Sequence, residues 1–345
     1  MFVHKSFSPA RMFFLTKFHI LWLTLWVSFV TILFEVTRWE WLEIPWLPIS
    51  VIATAVAFYV GFKNNQSYDR VWEARKIWGG IVNSSRSWGS VAKSFVTDEF
   101  AVEPIEENEL QDIVRRLVHR QIAWTYTLRA QLLVPTAWEH SNQHRYIAEH
   151  AQRTIDLYGV GTVDQEQIKK TVNTLLEDRD ITYLEDKKNK ATHILDLQYQ
   201  DLRELRKKGL INDFRHMRME ENLSEFYTFQ GQCERIKKFP LPRQYGGMSF
   251  VFVVIFIFLL PFGMVSEFAK MGDLVMWLAI PASVLVGWVY LVMELVGDYS
   301  ENPFEGLPHD IPMMSLCRTI EIDLRQILGE ENIPTPTEVK NGILM

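Results

Sequence analysis

IPWLPISVIATAVAFYVGFKNNQSYDRVWEARKIWGGIVNSSRSW, Ile44 to Trp88, joins two halves that ordinarily sit in different solvents. Ile44 to Phe62 carries no charge and is long enough to cross the hydrocarbon of a bilayer. At Lys63 the chain turns polar at once, yet Trp72, Trp78 and Trp88 keep a helical spacing. The reading is one helix that leaves the membrane and continues into a soluble domain. Thr54, Ala55 and Ala57 are mixed with Phe58 and Phe62 in the apolar half. Small and polar residues at membrane depth face other helices or water. Ser50, Thr54, Phe58 and Phe62 recur every fourth residue and share one slowly rotating face. Such a face, hydroxyls first and phenyl rings last, can serve as a vestibule followed by a hydrophobic constriction. Ordinary packing between helices would use the same phenylalanines, so the face alone leaves both readings open.

Outward from this stretch, Phe18 to Phe34 is an apolar run with no small-residue cleavage site after it, so it reads as a first membrane helix and not a signal peptide. Trp22 and Trp26, with Trp39, Trp41 and Trp46 beyond its end, read as interfacial anchors. Met248 to Ser266, with Pro261 a kink, and Leu274 to Val296, with Pro281 inside and Glu294 near its end, give two more spans. Between the second and third spans the polar chain reads as helical: Asn108 to Val134, Asp164 to Leu176 and Ile194 to Lys208 carry apolar residues three and four apart. Gly209 stops one helix, and Asn212 or Asp213 caps the next, which runs to about Lys238. Asp98 to Glu109 and Asp178 to Asn189 read as loops, and Phe239 to Pro242 as a rigid linker. No period-two strand is evident, so the fold class is an all-α membrane protein with four spans. The expected layout is 1–62 with the first two spans (18–34, 44–62), a helical domain over 63–243, the last two spans within 244–297 (248–266, 274–296), and a tail over 298–345 with a disordered end. Lys5, Arg11 and Lys17, with Lys63, Arg70, Arg75 and Lys76, mark the inside; Arg38 and Lys270 lie in the two short outer loops. Both termini and the helical domain then face the cytoplasm.

The function classes narrow by what these 345 residues lack. The net charge is a mild −6 and no basic-aromatic tract suggests nucleic acid. The two cysteines, Cys233 and Cys317, form no zinc or redox spacing. No Walker loop, GxGxxG, HExxH or GxSxG is present, so enzyme chemistry is not expected and no cofactor is implied. His140, His144 and His150, with Glu149, come nearest to a metal set: His140 and His144 would share a helix face. No fourth ligand is evident, and a solvated polar helix is the plainer reading. Four spans cannot make a wide pore within one chain, but symmetric copies can, each giving one helix to the axis.

Several motifs then point to a family. GFKNNQSYDRVWEARKIWGGIVNSSR (Gly61 to Arg86) resembles the signature of bacterial bestrophins, and so do GLIND (Gly209 to Asp213), CERI before PLP (Cys233 to Ile236, Pro240 to Pro242), and ENPF (Glu301 to Phe304) before LCRTIE (Leu316 to Glu321). They follow the family's order over nearly the whole chain. Within them Asn64, Asn65, Tyr68, Asp69, Arg70, Trp72, Glu73, Arg75, Trp78, Asn302, Pro303 and Phe304 carry the likeness. The resemblance implies a homopentameric channel in the bacterial inner membrane, passing monovalent ions through one axial pore, with self and membrane lipid as its partners.

By motif matching, the family's three neck rings fall on Thr54, Phe58 and Phe62, or, in a shifted register, on Ser50, Thr54 and Phe58. The cytosolic aperture falls on Ile211. Animal members conduct anions and some bacterial members prefer cations; phenylalanine at the middle neck position follows the animal pattern, which leans the reading to chloride-like anions. The aspartate run of the animal calcium clasp is absent after Asn302-Pro303-Phe304, so no metal is expected. The competing readings are a cation-selective channel of the same build and a non-conducting membrane scaffold or sensor.

Overall fold

The computed structural model describes residues 1–3, 9–39, 42–101 and 103–345; Lys5, Trp41 and the Arg11 side chain lie outside what is described. Among the described residues the regular structure is helical, with only isolated bridges at Phe2, Lys340 and Ile343. The chain divides into two compact units: His4–Arg70 with Pro240–Glu301, and Met1–Val3 with Val71–Phe239 and Asn302–Met345.

The first unit is apolar. It contains α1 (Pro9–Thr37), the first half of α2 (Trp46–Phe95), α9 (Arg243–Ala269), the short α10 (Asp273–Met276) and α11 (Ala279–Ser300). By length and composition, four helical stretches among the described residues could each cross a membrane. Leu23 of α1, Val56 and Val60 of α2, Val253 and Leu260 of α9 and Leu291 of α11 form its core. Glycines let these helices close up, as small residues do where lipid offers no hydrophobic drive. A Cβ at Gly263 would lie 2.5 Å from Ile49 Cδ1. Trp26 stacks on Phe258, with centroids 4.8 Å apart, and Arg38 bonds Glu35 at 2.7 Å and Asp273 at 3.2 Å. The two short connections therefore meet at one end of this unit. The sequence places Pro281 inside the last span; in the structure a break at Trp277–Leu278 precedes α11 and puts Pro281 in its first turn, where a missing N–H costs nothing.

The second unit wraps α3 (Glu107–Leu132) in helices. Around it stand the second half of α2, α4 (Arg145–Tyr158), α5 (Gln165–Leu175), α6 (Asp178–Glu185), α7 (Lys190–Lys207), α8 (Asp213–Lys238) and α12 (Met313–Leu328). Trp78, Trp88, Trp124 and Phe226 are fully buried in its core. Trp88 donates to Leu117 O at 3.2 Å, and Trp124 to Gln230 Oε1 at 3.2 Å, so these two indoles bury their rings without stranding the N–H, whereas the buried Trp78 Nε1 has no hydrogen-bond partner.

Two expectations need correction here. The stretch from Asp178, read as a loop, opens with α6. Its first turn carries Asp178 and Asp180, which suit a helix N-terminus, and Asp180 bonds the buried Arg120 at 2.6 Å. The tail end, read as disordered, is packed: Ile343 and Met345 are buried, and Ser315 N bonds Met345 O at 2.7 Å. A proline-rich composition hid an apolar segment.

Gly209 ends α7 in the left-handed region with φ +73°. Leu210 N reaches Leu205 O at 2.9 Å, the six-to-one bond of a Schellman cap. Asn212 then caps α8 by accepting from Arg215 N at 2.9 Å. A Cβ at Gly209 would meet Phe100 O at 2.4 Å. Gly209→Ala is therefore expected to destabilise this unit by about 1–3 kcal/mol from backbone strain alone, read as a lower unfolding temperature in detergent. An unchanged melting curve would contradict this account of the corner.

Candidate functional site

The site is built on α2. One side of its apolar half, Val56 and Val60, is buried against α9 and α11. The opposite side is open: Leu47, Val51 and Thr54 are exposed, and Phe58 and Phe62 are each 66% exposed. Asn65 and Asp69 carry the stripe on beyond Phe62. Thr54, Phe58 and Phe62 thus lie together on an uncovered face of the chain, while Ser50 is half-buried. The hydroxyls are partly committed. Ser50 Oγ donates to Leu47 O at 2.7 Å and Thr54 Oγ1 to Ser50 O at 2.9 Å, so outward they offer oxygen lone pairs and a methyl group, not protons.

Directly after Phe62 the helix is fastened from inside. Lys63 is buried and its ammonium pairs with Glu294 of α11; Asp298 lies at 3.8 Å. Ser249 Oγ of α9 donates to the other oxygen of Glu294. Asn64 Nδ2 donates to Met293 O at 3.0 Å, and its Oδ1 presses on Gly297, where a Cβ would come within 2.1 Å. Two turns further, Arg70 Nε donates to Glu301 O at 2.7 Å, and Arg243 reaches Glu301 at 3.4 Å. Sequence reasoning named Arg70 but took Lys63 only as a marker of the inner side. The signal was present: Lys63 is the first charge at the end of one apolar run and Glu294 the acid inside another, and such charges find each other.

The remaining signature residues sort by burial. Glu73 pairs with Arg235 of α8, and Trp78 is wholly buried. Tyr68, Trp72 and Arg75 are exposed on the single chain. Ile211, expected at a cytosolic aperture, is 1% exposed and belongs to the core of the larger unit; the exposed apolar side chain of that corner is Phe214 at 84%, with Met217 exposed one turn on.

Asn302, Pro303 and Phe304 are buried. Asn302 Nδ2 donates to Glu305 Oε1 at 2.7 Å, and Phe304 O accepts from Lys237 at 3.2 Å. His140 does not share a helix with His144: it sits in a separate 3₁₀ turn, 2.8 Å from Glu305, while His144 precedes α4. Asp310 takes the amides of Gly306 at 2.7 Å and Leu307 at 3.1 Å. Burial, helped by Glu305, pushes its carboxyl up to about 8. No group of three or more metal-type ligands is assembled among the described residues.

Residues 16–326 match the family described as bacterial/fungal bestrophin protein. The chain is 27% identical over 287 residues to the voltage-dependent anion channel-forming protein YneE of Salmonella typhi, covering 83% of this chain and 78% of that one. It is 26% identical over 297 residues to the voltage-dependent anion channel-forming protein RSc3414 of Ralstonia nicotianae, covering 86% and 82%. Its fold resembles the crystal structure of a bestrophin homolog from Klebsiella pneumoniae, with a TM-score of 0.73, 22% identity, and coverage of 91% of this chain and 99% of that one.

Removing one partner of the Lys63–Glu294 pair leaves a charge buried without compensation. Lys63→Met or Glu294→Met alone is expected to cost about 3–5 kcal/mol, and the double variant to recover most of it. Thermal unfolding of the three proteins in detergent checks this; a double variant no more stable than the worse single one would contradict it.

Proposed function

The chain belongs to the bacterial and fungal bestrophin family, and on that premise we propose that it is a homopentameric anion channel of the bacterial inner membrane. The carrying observation is the uncovered face of α2, with Phe58 and Phe62 each 66% exposed. Four spans enclose no passage in one chain, whereas five copies of this face around an axis would. Thr54 then lines the approach, and the rings of Phe58 and Phe62 form the neck. The Lys63–Glu294 pair fixes the helix at the neck's inner end.

Ring edges are weakly positive and ring faces weakly negative, so rings turned edge-on to the axis favour anions. The relatives named as anion channel-forming proteins support the same selectivity. We place the second narrowing at Phe214 instead of Ile211, because Ile211 is committed to the core of its own chain. Orientation follows the charges: Lys63, Arg70, Arg75 and Lys76 at the inner end of α2, against Arg38 and Lys270 in the joined short connections, put the larger unit in the cytoplasm.

In bilayers under a potassium chloride gradient, currents are expected to reverse near the chloride equilibrium potential. Reversal near the potassium potential would make the channel cation-selective, and absence of current would favour a scaffold. Phe58→Ala and Phe62→Ala are expected to alter conductance or gating.

At the inner corner, Phe214→Ala is expected to change the current without changing stability. Ile211→Ala is expected to cost about 2–5 kcal/mol of stability. The opposite pattern would return the aperture to Ile211.

A further inference from the structure

Four lysine and arginine side chains are buried among the described residues: Lys63, Arg120, Arg129 and Lys237. Three have carboxylate partners. Lys63 pairs with Glu294, Arg120 with Asp180 and Asp201 at 2.6 Å each, and Lys237 with Glu139 at 2.5 Å. Arg129, in the last turn of α3, is 1% exposed and forms no ion pair. Its Nη1 donates to the neutral Gln165 at 3.2 Å, and its Nη2 has no hydrogen-bond partner. A guanidinium does not shed its proton in a protein, so this charge is not relieved by neutralisation as that of a lysine or carboxylate is. A buried charge without a counter-charge is among the most costly arrangements a fold can hold, and a buried group left unsatisfied calls for a water or an ion.

Beside Arg129 lies a cavity of about 10 Å³, lined by Leu133, Val160, Gly306, Asp310 and Met313 among others. Its volume is that of about one water, so among anions only a monatomic halide approaches its size. A water would accept a hydrogen bond from Nη2 but leave the charge uncompensated. A carboxylate ligand would need more space. Asp310 also lines the cavity but forms no ion pair with Arg129: its Oδ2 accepts from the Gly306 and Leu307 amides, and burial raises its carboxyl, which favours the neutral acid over a counter-charge.

We propose that this cavity is an anion site, in which Arg129 holds a single chloride that completes the core of the larger unit. The site is separate from the neck, and its occupancy would make the folded state sensitive to chloride whether or not the pore passes anions.

The full-length protein, purified in detergent, is tested by thermal unfolding in sodium gluconate replaced stepwise by sodium chloride at constant ionic strength. The unfolding temperature is expected to rise by about 2–4 °C to a plateau. In Arg129→Leu the rise is expected to vanish, with the unfolding temperature in gluconate unchanged or higher. Crystals of the unaltered protein grown in bromide are expected to show an anomalous peak beside Arg129 Nη2, a readout that does not depend on the variant folding. A chloride response retained in Arg129→Leu, no response in the unaltered protein, or bromide crystals without anomalous signal in the cavity would each overturn the proposal.

Discussion

A lysine held out of water beside a glutamate decides where the apolar half of α2 ends. The Lys63–Glu294 pair, with Ser249 on the second carboxylate oxygen, joins three helices through charges that hydrocarbon will not tolerate singly. Once it is formed, the rotation of α2 is set. Val56 and Val60 must turn inward toward α9 and α11, and Phe58 and Phe62 must turn away. The exposed aromatic face is thus a consequence of an interaction on the helix's other side. Gly297 serves the same join, because a side chain there would displace Asn64.

The larger unit applies the same rule to its own interior. Arg120 ties α3 to α6 and α7 through Asp180 and Asp201. Lys237 binds Glu139 and the carbonyl of Phe304, so the Asn302–Phe304 motif is fastened through its backbone as well as by the burial of its side chains. Glu305 and Asp310, the acids that follow it, are committed to Asn302, His140 and two backbone amides. Their role here is to close a buried corner. Arg129 departs from the pattern, and that departure is what marks its cavity.

Much of this was legible in the residues. The four apolar runs, the Gly209 stop and the Asn212 cap follow from hydropathy and local backbone chemistry, which a single sequence carries. The four-residue spacing gave the α2 face, because a helix places such residues on one side. What was missed depends on pairs far apart in the chain. The acids Asp178 and Asp180 are the one local sign of a helix at Asp178–Glu185, and nothing local shows that Asp180 meets Arg120 from α3. The burial of Ile211 is set by packing in the larger unit's core, and a motif cannot show which of its apolar residues points inward. The tail end was misjudged because its prolines outweighed Ile343 and Met345, whose burial depends on the surface they dock against.

In the proposed assembly the Phe58–Phe62 face of α2 meets water inside and not lipid outside. The direct measurement is block of bilayer current by a charged, water-soluble thiol reagent on single cysteine variants. Cys233 and Cys317 are buried and give little background. Rapid block is predicted for Phe58→Cys and Phe62→Cys, and none for Phe250→Cys, whose position on α9 is also exposed in the single chain, at 58%. Block at Phe250→Cys with none at Phe58→Cys or Phe62→Cys would contradict the account.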